Sequence, residues 1–177
     1  MKAGQMKTAA ILGAGVMGTA VAWPLTDNGY DVHLIGTHLD EEIIRSCKDD
    51  RFHPKLKRRI PEKVTPFRID ELERGLDGAE FIVSGVNSNG VHWIGETLKP
   101  YVKPGDQIIG ITKGLEADVE GNLIILPEVM RLEFSPEMRD SISMAAIGGP
   151  CIAGELAGRR QSCVYFGAHK IGTARHL

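Results

Sequence analysis

The sharpest chemical signal in the chain is the run Gly13-Ala14-Gly15-Val16-Met17-Gly18. Three glycines at this spacing follow an apolar run, Thr8–Leu12, and open a helical pattern. That is the context in which backbone amides receive the diphosphate of a dinucleotide. The three glycines meet different demands. Gly13 permits a tight turn, Gly15 lets a pyrophosphate approach the backbone, and Gly18 lets helix and strand pack closely. The amides at the helix start face the phosphates, assisted by the positive end of the helix dipole.

The tip of the second strand bears on which dinucleotide is taken. It reads Leu34-Ile35-Gly36-Thr37-His38, with no carboxylate until Asp40. An Asp or Glu there would hold the ribose 2′-hydroxyl of NAD. Its absence removes repulsion against a 2′-phosphate, to which Thr37 and His38 offer hydrogen bonds. The expectation is NADP(H), or use of both cofactors.

Three more stretches fall at the carboxyl ends of apolar runs, where open α/β sheets bind ligands. They are Val86-Asn87-Ser88, Ile111-Thr112-Lys113-Gly114 and Gly148-Gly149-Pro150-Cys151-Ile152-Ala153-Gly154-Glu155. Taken alone, a lysine just past a strand is more often solvated than catalytic. The six histidines show no metal-ligand spacing with a nearby acid, so no metal is expected.

Elements able to position these groups follow from the apolar pattern. Strands are predicted at Thr8–Leu12, Val32–Ile35, Glu80–Val86, Gln107–Thr112, Ser143–Ile147 and Ser162–Phe166. Their apolar residues are mostly continuous, as in strands buried on both faces. Helices are predicted from Val16 towards Asn28, after Asp40 as N-cap, from near Asp70, over Val91–Leu98, from Pro127, and after Pro150. Pro24 lies within the first helix, and a bend near Trp23 is expected. The basic run Arg51–Arg59 reads as an exposed loop rather than a nucleic-acid patch. The alternation implies an α/β fold, Rossmann-type and doubly wound, with a mainly parallel sheet and flanking helices.

Composition excludes other classes. The chain has 177 residues, 42% hydrophobic and 25% charged, with a formal charge of -2. That suits one ordered domain over 1–177 and argues against a nucleic-acid binder. Three cysteines, Cys47, Cys151 and Cys163, form no CxxC pair and suit a reducing compartment. With no signal-peptide core and no apolar run long enough to span a membrane, a soluble cytoplasmic protein is expected.

Taken in order, GAGVMG, HPKL after the second helix, TKGLE and GGPCIAGELAG resemble NAD(P)-dependent glycerol-3-phosphate dehydrogenase. The similarity covers nearly the whole chain but only the N-terminal, cofactor-binding half of that enzyme. The resemblance implies hydride transfer between NAD(P)H and dihydroxyacetone phosphate, giving sn-glycerol 3-phosphate. It implies that Lys113 contacts substrate and cofactor, and that the backbone of Val16 and Met17 and the side of Ala153 line the cofactor. Gly13, Gly15, Gly18, Thr37, His38 and Asn87 complete the expected cofactor set. Gly149 and Cys151 join Lys113 on the side of a phosphorylated small-molecule substrate. Family members often have Ser or Asn where Cys151 stands, and a thiol is the poorer hydrogen-bond partner. A second lysine, acting as acid/base, and a phosphate-gripping arginine belong to the family's helical C-terminal domain, which this sequence does not include. The expected fragment therefore binds cofactor without the full catalytic set, and dimerisation is a property of the longer parent. Related dehydrogenases, such as ketopantoate reductase, 6-phosphogluconate dehydrogenase or UDP-glucose dehydrogenase, share a similar glycine-loop half. A nucleotide-binding module without turnover is the alternative of another class.

Overall fold

The computed structural model describes residues 7–176; the reading of the first six residues lies outside that range. Strand β1 (Thr8–Leu12) lies in the interior of the main sheet. Ala9 and Ile11 turn to one face and Ala10 and Leu12 to the other, all fully buried. A strand covered on both faces needs this unbroken apolar run.

Seven strands form the main sheet. In chain order they are β1, β2 (Asp31–Ile35), β5 (Val64–Phe67), β6 (Ala79–Ser84), β7 (Gln107–Gly110), β10 (Ser143–Gly148) and β11 (Tyr165–Ala168). Across the sheet the order is β11-β10-β7-β6-β1-β2-β5. All neighbours pair in parallel except β10 and β11. The chain winds outward from β1 through β2 to β5, then returns to the other side of β1 with β6. The direction of winding therefore reverses between β1 and β6, the crevice where such sheets bind ligands.

Helices cover both faces. Against one lie α1 (Val16–Ala20), α2 (Ala22–Asp27), α3 (Glu41–Asp50) and α8 (Ala153–Ala157), sealing Ile11, Leu34, Ile44 and Val83. Against the other lie α4 (Leu72–Leu76), α5 (Val91–Leu98) and α6 (Leu126–Leu132), over Leu12, Ile35, Ile82 and Ile108. Short hairpins β3 (Phe52–His53)–β4 (Arg58–Arg59) and β8 (Leu115–Ala117)–β9 (Leu123–Ile125) stand apart from the sheet. The remaining helices are α7 (Pro136–Ser141) and α9 (Ile171–His176). No helix among the described residues is long and apolar enough to cross a membrane.

Several expectations are corrected. The strand predicted at Ser162–Phe166 forms at Tyr165–Ala168 and runs antiparallel to β10. After β10 the chain turns aside into α8, which packs on α1 and α2. Tyr165 then pairs with Gly148 and Ala168 with Ala145, so the chain re-enters the sheet at the end where it left.

Strand β5 was not predicted, because Pro66 breaks its pattern; at the sheet edge the missing N–H costs no ladder bond. The bend expected near Trp23 takes the form of a break in the helix at Val21. Pro24 has no N–H to donate to the Ala20 carbonyl four residues back, which weakens the ladder in the turn before it. The run Arg51–Arg59 is only partly an exposed loop. Lys57, Arg58 and Arg59 are exposed, but His53 is fully buried.

Candidate functional site

At the carboxyl end of β1 the chain turns through Gly13, whose φ of +114° suits only glycine. A Cβ there would lie 2.7 Å from the carbonyl carbon of Gly85. One on Gly18 would lie 2.2 Å from the Gly13 oxygen, and one on Gly85 2.8 Å from that same oxygen. These three glycines interlock the start of α1 with the ends of β1 and β6. Gly15 differs, since a Cβ there would meet nothing within 4 Å. It sits at the N-cap of α1 with no side chain capping the helix. The first amides of the helix are left for a partner from outside.

Ala14, between two of these glycines, is held on both sides of its backbone. Its N–H donates to Asp40 Oδ2 at 3.1 Å. Its carbonyl accepts from Thr19 Oγ1 at 3.1 Å and from His53 Nε2 at 3.0 Å. The tautomer of His53 follows from its other nitrogen. Leu56 N–H donates to Nδ1 at 3.0 Å, so the proton resides on Nε2. Burial, above all, lowers the pKa of this imidazole below 6.5.

Asp40 was expected to cap α3. It holds the N-cap position, but its side chain makes no capping bond. Oδ2 instead accepts from Ala14 N, Thr37 N (2.9 Å) and Thr37 Oγ1 (2.7 Å). The strand tip that looked free of acid thus has a carboxylate beside it in space. Thr37 is also corrected, since its hydroxyl proton goes to Asp40 and its oxygen accepts from Leu39 N. It lines the site but has no proton left for a phosphate. His38 is exposed, its ring edge-on to Trp93 at 5.3 Å.

A cavity of about 660 Å³ opens on this turn, bordered by Gly13, Gly15, Val16, Met17, Thr37, His38, Asp40 and Asn87. Asn87 turns its side chain back to accept from Gly90 N at 3.2 Å, capping a short 3-10 turn. Lys55, carried by the β3–β4 hairpin, also borders the cavity. At Val16, Met17 and Ile111 it meets a larger, mostly apolar cavity of about 860 Å³. Lys113, Cys151 and Ala153 line that second space. Lys113 Nζ donates to the carbonyl of Gly149, which joins two residues expected on the substrate side. Cys151 and Ala153 are half-buried. The predicted residues therefore lie along one trough, from Thr37 and His38 past the glycine turn to Lys113 and Cys151.

Sequence reasoning missed Gly85, Asp40, His53 and Lys55 as parts of this site. Gly85 had a usable signal, because a lone glycine in a strand pattern marks close backbone approach. His53 and Lys55 lie in the HPKL stretch, where the surrounding basic residues masked them.

Comparison with known proteins gives a consistent result. A family described as NAD-dependent glycerol-3-phosphate dehydrogenase N-terminus matches residues 8–173. The NADP(+)-dependent glycerol-3-phosphate dehydrogenase of Archaeoglobus fulgidus is 38% identical over 169 residues, covering 94% of this chain and 48% of the relative. The glycerol-3-phosphate dehydrogenase [NAD(P)+] of Escherichia fergusonii is 36% identical over 150 residues, covering 83% and 41%. Among solved structures, the glycerol-3-phosphate dehydrogenase of Coxiella burnetii superposes with a TM-score of 0.80 at 26% identity, over 97% of this chain and 50% of that one. The chain spans about half the length of the curated relatives it matches.

Proposed function

The chain belongs to the NAD-dependent glycerol-3-phosphate dehydrogenase family, matching its N-terminal part, and from that premise we propose that it binds NAD(P) along the trough and forms the cofactor half of such an enzyme. The open space over Gly15, set in a turn that the other glycines lock, carries this reading. A diphosphate fits there because no side chain fills the approach and the amides opening α1 lack a capping side chain. Asn87 lies across the cavity from that turn. The nicotinamide, when bound, supplies the hydride for interconverting dihydroxyacetone phosphate and sn-glycerol 3-phosphate.

Lys113 would offer a cation to the ketone oxygen or the phosphate, favouring the negative charge that develops there. Its bond to the Gly149 carbonyl supports this role, since that contact holds the ammonium at the mouth of the second cavity. Ala153 and Cys151 would close the wall beside it, the thiol contributing shape more than hydrogen bonding. The chain's own residues thus bind and orient. The acid/base lysine and the phosphate-binding arginine implied by the resemblance would come from a further domain.

For the adenosine end, NADP(H) is the preferred cofactor. Asp40 has its Oδ2 committed to three internal donors, and Lys55 and His38 border the same cavity. Lys55 supplies the cation that the strand tip itself lacks. The test is a fluorescence titration of the chain with NADPH and NADH. NADPH binds more tightly in wild type, and Lys55→Glu removes that preference while leaving NADH affinity within about twofold. If neither nucleotide binds, the whole reading fails; if Lys55→Glu leaves the ratio unchanged, only the cofactor preference fails.

A further inference from the structure

The described residues bury five polar side chains, Thr19, Thr37, Asp40, His53 and Ser84. Four of them belong to one hydrogen-bonded group around Ala14, and Ser84 pairs in register with Leu12, just before the turn. Buried polar groups are costly unless satisfied, so their concentration around one residue calls for a physical reason. Ala14 stands between Gly13 and Gly15, neither of which has a side chain to anchor the backbone. The bonds to the Ala14 N–H and to its carbonyl fix the peptide groups on either side of its Cα.

We propose that His53, acting with Asp40 and Thr19, is a positioning residue that clamps the two peptide groups flanking the Ala14 Cα so that the amides of Gly15, Val16 and Met17 are aimed before ligand arrives. This rests on the diphosphate reading above and deepens it. The imidazole suits the task through its geometry. Nε2–H donates to Ala14, while Nδ1 accepts from Leu56 within the β3–β4 hairpin. One ring thereby ties the glycine turn to the segment that carries Lys55, although 39 residues separate His53 from Ala14. Asp40, from 26 residues away, holds the opposite side of the same residue. With both sides held, the amides need little reorganisation on binding, which is the source of the affinity gain.

The test compares wild type, His53→Phe and His53→Gln in titrations with NADPH, ADP and AMP. His53→Phe keeps the bulk but loses both hydrogen bonds. It should weaken ADP and NADPH roughly tenfold while changing AMP far less. His53→Gln retains a donor and an acceptor and should restore most of the lost affinity. Ile94→Val, which loosens the core under the far face of the sheet, should leave the ADP-to-AMP ratio unchanged. Thr19→Val provides a second, milder break of the clamp and should shift that ratio in the same direction, so the test survives if His53→Phe does not fold. Wild type that fails to bind NADPH would refute the diphosphate reading itself. Wild type that binds, with His53→Phe or Thr19→Val retaining the wild-type ratio, would overturn the clamp alone.

Discussion

At one end of the trough, Ala14 and His53 are completely buried, Asp40 nearly so, and each is hydrogen-bonded to partners from distant parts of the chain. At the other end, Lys113 is exposed, Cys151 and Ala153 are half-buried, and Ile152 and Tyr165 are 64% and 68% exposed. The hairpin β8–β9 that follows Lys113 is tied by a surface pair, His92 to Glu116 at 2.8 Å. The first end is thus fixed by a buried polar network, whereas at the second the Lys113 ammonium is held at the surface by its bond to the Gly149 carbonyl. A diphosphate is bound by fixed dipoles, which work best when they are already aligned. A lysine on a flexible stem meets its partner as a point charge and needs no such frame.

Paired glycine substitutions test that contrast most severely. Gly18→Ala pushes a methyl to 2.2 Å from a backbone oxygen. We expect a loss of roughly 3 kcal/mol, a melting temperature lower by about 6–12 °C, and no measurable nucleotide binding. Gly154→Ala, in α8 at the other end, meets nothing within 4 Å. It should raise stability by up to about 1 kcal/mol, because glycine is costly within a helix. Equal effects from the two changes would erase the distinction between the ends.

Gly15→Ala separates folding from binding within the rigid end. No atom lies near the added methyl, so stability read from thermal melting should change by less than about 0.5 kcal/mol. The methyl nonetheless occupies the approach to the amides, and NADPH affinity should fall at least about tenfold by titration. Unaltered affinity would move the diphosphate elsewhere.

The smallest effects concern pH, and the two ends should respond with opposite signs. His53 has its pKa lowered, mainly by burial; Lys55 pushes it the same way, while the bond to Ala14 and the charge of Asp40 oppose the shift. The folded state therefore resists its protonation. Its contribution is complete above the ordinary value of 6.5 and is lost as pH falls below it. His92 has its pKa raised, by Glu133 first and then Glu116. Its contribution is present below 6.5 and is lost as pH rises through the raised value. Melting curves from pH 5 to 8 should flatten on the acid side in His53→Gln, and change slightly on the alkaline side in His92→Gln. The His92 effect is the lesser because solvent screens an exposed pair. Identical slopes in both variants would contradict the assignment of opposite signs.

Much of the site could be read in advance because its signals are local. The glycines of the turn and Lys113 stand next to strand ends, which follow from runs such as Thr8–Leu12 and Gln107–Thr112, although the latter strand stops at Gly110. Asp40 and His53 were misread for a shared reason. An aspartate before a helix looks like its cap, and a histidine among arginines and lysines looks solvated. Both local readings gave way to a bond with Ala14.

The sequence by itself determined the alternation of strands and helices, the doubly wound class, and the place of the glycine turn. These depend on side chains within one element, where burial and backbone preference act on neighbours. Tertiary structure alone decided that β11 runs antiparallel, that a proline-bearing strand closes the edge, and that Asp40 and His53 converge on one residue from 26 and 39 residues away. Such pairings depend on how far each connection reaches and how each helix packs. Those quantities exist only once the whole chain has been laid against the sheet.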